Sequence, residues 1–149
     1  MTLKQKVYAR YQQLVSDKID AFRDMISALS EDAQNDAKSS AGDKHETALS
    51  MMHLEQEKLN LKLAECLEQK AILDKIDPES TNDKVVLGSL VVANGIHLFL
   101  SAALPKVVID GVSILALSPQ SPLGSKLVGK SIGGVAEVNT STYTIERIS

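Results

Sequence analysis

The sequence predicts an α+β fold: an antiparallel α-helical coiled-coil hairpin followed by a small antiparallel-sheet domain. Three observations predict it. No Gly or Pro occurs from Thr2 to Ser30, and apolar residues there recur at spacings of three and four. A second segment of the same character runs from about Glu46 to Ile76. From Lys84 onward the pattern changes to short β-branched runs broken by Gly-containing turns.

The first helix carries Tyr8, Val15, Ile19, Phe22, Ile26 and Leu29 as its apolar seam. The second carries Met52, Leu59, Leu63, Cys66 and Leu73, with Gln56 and Lys70 as polar interruptions. Two such seams bury against each other. A connection of about 15 residues lets the chain double back, and about 30 residues per helix make an arm of roughly 45 Å. Glu31 to Gly42 reads as a small, polar connecting segment, with Gly42 able to break a helix.

The second half reads as strands. Val85-Val86-Leu87 and Leu90-Val91-Val92 flank Gly88-Ser89, as in a strand with a bend. Asn94-Gly95 and Asp110-Gly111 are hairpin signals between apolar runs. Val135 to Val138 and Tyr143 to Ile148 supply further strands. Between them Ser121-Pro122 opens a short helix that Gly129 ends.

Charge divides the chain in the same way. Residues 1–82 hold 11 Lys/Arg and 15 Asp/Glu, whereas residues 83–149 hold 5 and 4. The expected organisation is a hairpin over 1–77, a linker over 78–83 and a sheet domain over 84–149. So few charges on the second domain fit either an exposed apolar surface, open to homodimerisation, or simply a small, strand-rich domain.

Composition removes several functions. The net charge of -3 and an aromatic share of 3%, without Trp, argue against binding free nucleic acid. One Cys permits no internal disulfide and fits a reducing, cytoplasmic setting. No apolar run approaches the roughly 20 residues of a membrane span, and the N-terminus lacks a signal region. No phosphate loop, nucleophile elbow or zinc spacing occurs. His45 and His53 read as solvated or packing residues, and Cys66 as a small buried hydrophobe.

The informative stretch is the tip of the hairpin, where Gly42-Asp43-Lys44-His45-Glu46-Thr47 stands. Asp43 with Glu46 three residues on fits an N-cap and its capping-box partner. The same spacing lets two carboxylates converge on a hard cation whose remaining ligands come from another molecule. The two roles are compatible. Asp36, Lys38 and Lys44 are candidate supports for the tip.

Ser121-Pro122-Leu123-Gly124, then Leu127-Val128-Gly129-Lys130, then the strand ending Tyr143-Thr144-Ile145-Glu146-Arg147-Ile148 resemble the C-terminal, FKBP-like domain of the GreA/GreB transcript-cleavage factors. The tip is similar to the family's Gly-Asp-Leu-x-Glu-Asn motif, keeping Gly42, Asp43 and Glu46 at the same spacing. The resemblance covers nearly the whole chain in order. It implies a partner, bacterial RNA polymerase, whose secondary channel receives the hairpin. It implies that Asp43 and Glu46 stand beside a Mg²⁺ shared with the polymerase, and that Ser121, Pro122, Leu123, Gly124, Gly129 and Lys130 belong to a docking motif. It also implies no catalysis by this chain alone. The chain departs from the family at Lys44, where the motif is apolar, and at Thr47 and Ser50, where it has Asn and an aromatic. The hairpin is also net acidic, so polymerase binding is the firmer expectation and the sign of the effect on transcription stays open.

Two other classes compete. A coiled-coil adaptor would use the arm and sheet to join proteins unrelated to transcription. A prolyl isomerase would need an aromatic-lined pocket, and beyond residue 82 the only aromatics are Phe99 and Tyr143.

Overall fold

A computed structural model describes the backbone of residues 1–39 and 43–149, and the side chains of residues 1–35 and 46–149. Its elements are α1 (Leu3–Ser39), α2 (Asp43–Asp74), β1 (Leu90–Ala93), β2 (Ile96–Leu100), β3 (Val107–Ile109), β4 (Val112–Leu117), α3 (Pro122–Leu127), β5 (Val135–Val138) and β6 (Ser141–Ile148). The α+β class holds, with two long helices preceding a sheet domain. Packing divides the chain into two units, Leu14–Lys70 and Met1–Gln13 with Ala71–Ser149. The outer ends of both long helices, residues 3–13 and 71–74, thus belong to the same unit as the sheet.

Within Leu14–Lys70, two long helices joined through residues 40–42 form one compact body, so they run antiparallel. Val15, Ile19, Leu59 and Cys66 are buried along the seam. Phe22, Ile26, Leu29, Met52 and Leu63 are half-buried. Each fully buried aliphatic side chain contributes about 1.5–3 kcal/mol. The polar interruption has a partner: Gln56 Nε2 donates to Ser30 Oγ at 2.9 Å. α1 also outruns its expected end. Residues 31–39 continue the helix because Glu31, Ala33, Gln34, Ala37 and Lys38 are helix formers and no Gly or Pro intervenes before Gly42.

Within the other unit, six strands form one sheet in the order β3-β4-β2-β1-β6-β5. The expected all-antiparallel pairing is corrected at one place: β2 and β4 run parallel, with Leu98 opposite Leu115. The β3-β4 hairpin folds back so that β4, rather than β3, lies beside β2. Asn94-Gly95 and Asp110-Gly111 make the tight turns their sequence signals, all four residues at positive φ.

Val85-Val86-Leu87 is not a strand. Ser89 N donates to Val86 O, and Val86 N donates to Ser89 Oγ, closing a turn. Gly88 sits in that turn at φ +92°, where a Cβ would lie 2.7 Å from Ile76 Cγ2. Val85 is nonetheless fully buried, pinned by backbone hydrogen bonds to Gly129 and Lys130.

Each face of the sheet is covered over part of its width. On one, Val91, Ala93, Leu98, Leu100 and Ile145 form a core with Leu127 of α3. On the other, Phe99 stacks on Tyr11 of α1, and Val7 and Tyr11 are fully buried. The N-terminal turns of α1 therefore act as a covering helix of the sheet. Lys4, in the first turn, is buried, and its Nζ donates to Ser80 O at 2.7 Å. Burial pulls its ammonium below the ordinary lysine range, against an opposing pull from Asp77.

Candidate functional site

The tip motif stands at the junction of the two long helices. Asp43 is the first residue of α2, and Glu46 lies one turn in, with its side chain exposed. A helix N-terminus favours negative charge, which suits carboxylates there. The side chains of Asp36, Lys38, Asp43 and Lys44 lie outside the described residues, as do Gly42 and the N-cap reading of Asp43. Among the described residues, no three His, Cys, Asp or Glu side chains are grouped as a metal site. His53 is exposed and Cys66 buried.

The C-terminal motif has a local role at every position. Ser121 caps α3: its Oγ accepts from Gly124 N at 3.0 Å and donates to Ser118 O at 2.6 Å. Pro122 follows at the first helical position, where its missing N–H costs nothing. Leu123 is packed against the core around Leu127. Gly124 is buried, and a Cβ there would lie 2.0 Å from Ser118 O. Gly129 leaves the helix at φ +85°. Lys130 bonds through its backbone, its carbonyl accepting from Val85 N at 2.9 Å. Pro122 and Gly129 are exposed, and Lys130 is half-buried. The motif thus builds a corner of the domain and shows only part of itself to solvent.

The sequence suggested an apolar surface on the same domain without placing it on particular residues. Val108 pairs with Ser113, and Leu115 with Leu98, so Val108, Leu115 and Ile96 share the sheet face on which α3 packs. α3 leaves that end of the sheet uncovered: Val108 is 62% exposed, Leu115 40% and Ile96 38%. A depression of about 440 Å³ lies there, lined by Ile96, Leu115 and Lys106 among others. The available signal was the alternation of apolar residues on more strands than one six-residue helix can cover. At the sheet's rim Lys6 Nζ pairs with Asp110 Oδ2 at 2.7 Å; both side chains are well exposed, so the pair adds little stability.

Among the described residues no helix is long and apolar enough to cross a membrane. No protein-family model and no curated protein matches this chain. Among solved structures it is similar to GreA factor homolog 1 of Thermus thermophilus, at 17% identity over 93% of this chain and 94% of that one, with a TM-score of 0.35. A likeness that distant does not bear on function.

Proposed function

We propose that this protein is a Gre-like factor that binds bacterial RNA polymerase, placing its helical hairpin in the secondary channel to modulate elongation or to stimulate cleavage of backtracked RNA. One positional observation carries the reading. The Gly42-Asp43-x-x-Glu46 motif falls in the sequence between the end of α1 and the first turn of α2, in a chain that also has a sheet domain bearing the Ser121-Pro122-Leu123-Gly124 corner.

On this reading the chain is not an enzyme. Asp43 and Glu46 add carboxylate oxygens beside a Mg²⁺ that the polymerase holds, and a second cation at such a centre stabilises developing negative charge. The uncovered sheet face around Ile96, Val108 and Leu115 supplies an apolar docking surface. The protein works in the cytoplasm.

The test uses the full chain and the polymerase of its own organism. Co-sedimentation should show a complex, and backtracked elongation complexes should be cleaved faster or slower when the protein is added. Absence of any complex rejects the reading. A complex whose effects are indifferent to both tip acids favours an adaptor or a purely blocking factor.

A further inference from the structure

Asn94-Gly95, the turn between β1 and β2, is the one Asn-Gly pair of the chain. In an unfolded chain such a pair is chemically fragile, because glycine has no side chain to obstruct attack by its own nitrogen. Gly95 N adds to Asn94 Cγ, and the Cγ–Nδ2 bond breaks. Ammonia leaves, taking up the proton that the Gly95 N–H gives to solvent. Water then opens the five-membered imide at either carbonyl, leaving aspartate or isoaspartate.

The fold holds each reacting group away from that path. Asn94 Nδ2, the leaving nitrogen, donates to Thr142 O at 2.7 Å, and Asn94 Oδ1 accepts from Thr144 N at 3.0 Å. A carbonyl only accepts and a backbone N–H only donates, so these partners fix which end of the amide is which. Gly95 N, the attacking atom, donates to Glu146 Oε1 at 3.1 Å. All three partners belong to β6. Asn94 and Gly95 also stand at φ +52° and +74°, as a type I′ turn requires. Imide closure needs rotation about Asn94 Cα–Cβ and Cα–C. The bonds to β6 hold the first and the turn holds the second.

We propose that Asn94 is a deamidation site kept closed by its clasp to β6, so that departure of β6 is recorded as an irreversible change. An aspartate cannot donate to Thr142 O, and its charge stands beside the Glu146 carboxylate that holds Gly95. An isoaspartate adds a backbone atom to a two-residue turn. Neither product rebuilds the clasp, so an opened chain that reacts does not return to its starting stability.

The proposal is independent of the polymerase reading, since it concerns the sheet domain alone. The test is peptide mapping by mass spectrometry of the full chain, kept native or in concentrated urea at the same mildly alkaline pH. In urea the Asn94 peptide should gain the mass that marks an amide turned carboxylate. In the native chain it should do so at least about a hundredfold more slowly, because reaction waits on local opening. Glu146→Ala removes the acceptor of Gly95 N and should speed the native reaction about tenfold, leaving the rate in urea unchanged. Asn94→Asp should melt about 3 °C or more below wild type. Equal rates in native buffer and in urea overturn the proposal, as does an Asn94 that stays intact in urea. A slower native reaction in Glu146→Ala would make that carboxylate a base for the attack and overturns the protective clasp. An Asn94→Asp protein that melts with wild type overturns the irreversibility.

Discussion

Tyr11 and Phe99 stack with ring centroids 5.9 Å apart and planes within 2° of parallel, and Tyr11 Oη donates to Pro105 O at 2.7 Å. One residue of the first helix thereby joins a central strand and the loop that precedes β3. Tyr11→Ala should cost about 3–5 kcal/mol, as large-to-small changes of buried aromatics do. Tyr11→Phe keeps the stack and orphans the Pro105 carbonyl, for about 1–2 kcal/mol. Urea unfolding followed by circular dichroism measures both; equal losses would show that the ring contributes nothing beyond its hydroxyl.

The same phenol makes stability depend on pH. Burial pushes Tyr11 from 10.0 up to about 12, so the fold favours its neutral form. That contribution is whole below pH 10 and is lost as pH rises through 12. Lys4 acts in the opposite sense, because a lowered ammonium pKa lets stability grow as pH rises towards 10.5. The stability difference between wild type and Tyr11→Phe isolates the phenol. It should stay constant up to about pH 10 and shrink above it; a difference that stays flat to pH 12 contradicts the assignment.

Gly124 is required by space and not by backbone angle. A methyl group at its Cα would sit 2.0 Å from Ser118 O, and that carbonyl also accepts from the capping Ser121. Gly124→Ala should therefore cost about 3 kcal/mol, the upper end of ordinary overpacking, and loosen the start of α3. Gly95→Ala is the control: nothing lies near its Cβ, and only the φ of +74° resists, for about 1 kcal/mol. Thermal melts of the two variants should differ in that order. A reversed order would mean that the α3 corner yields.

Local signals were legible where one residue type alone satisfies the backbone. Asn94-Gly95 and Asp110-Gly111 needed positive φ, and Ser121-Pro122 needed a cap and a donor-free first turn. The hairpin seam was legible because its period is helical over many turns. Other features depended on distant partners. Val85-Val86-Leu87 has strand composition, but Val85 earns its burial through backbone bonds to residues 129 and 130. The parallel β2-β4 pairing follows from how a hairpin folds back, which no local pattern records. Val7 and Tyr11 stand eight and four residues before Val15, but the expected seam took Tyr8 instead; both cover the sheet, while Tyr8 is only half-buried. At the candidate site, the position of Asp43 and Glu46 at the start of α2 was legible; an apolar surface on the sheet domain was suggested by its few charges, but its place at Val108 and Leu115 was not.

The Ser30–Gln56 bond should fix the arm's register more than it stabilises the arm. Two half-buried polar groups meet at 2.9 Å within an otherwise apolar seam. Ser30→Ala leaves the Gln56 amide short of a partner and should cost about 1–3 kcal/mol. The double change Ser30→Ala with Gln56→Leu removes both groups and should recover that loss or exceed wild-type stability. The cost should reappear as looser pairing, seen as faster amide exchange along residues 26–30 and 52–59. A double variant as unstable as the single one would show that the bond has no role in register.

The tip acids separate the functional readings, and they should act unequally with their substitutions. If both carboxylates reach a cation shared with the polymerase, Asp43→Ala and Glu46→Ala should each weaken any stimulated cleavage at least about tenfold, the lower bound for losing support to a metal ligand. Asp43→Asn should weaken it as well, since an amide keeps the capping oxygen and loses the charge. Glu46→Gln likewise keeps hydrogen bonding and removes the charge. Binding to polymerase should survive in all four variants, because the sheet domain and the arm remain intact. A pure cap predicts the reverse: the Asn variant behaves as wild type, and Asp43→Ala lowers arm stability by about 1 kcal/mol without a separate effect on cleavage. Cleavage rates on backtracked complexes, read beside thermal melts of the same four proteins, distinguish charge at a metal from hydrogen bonding at a helix end.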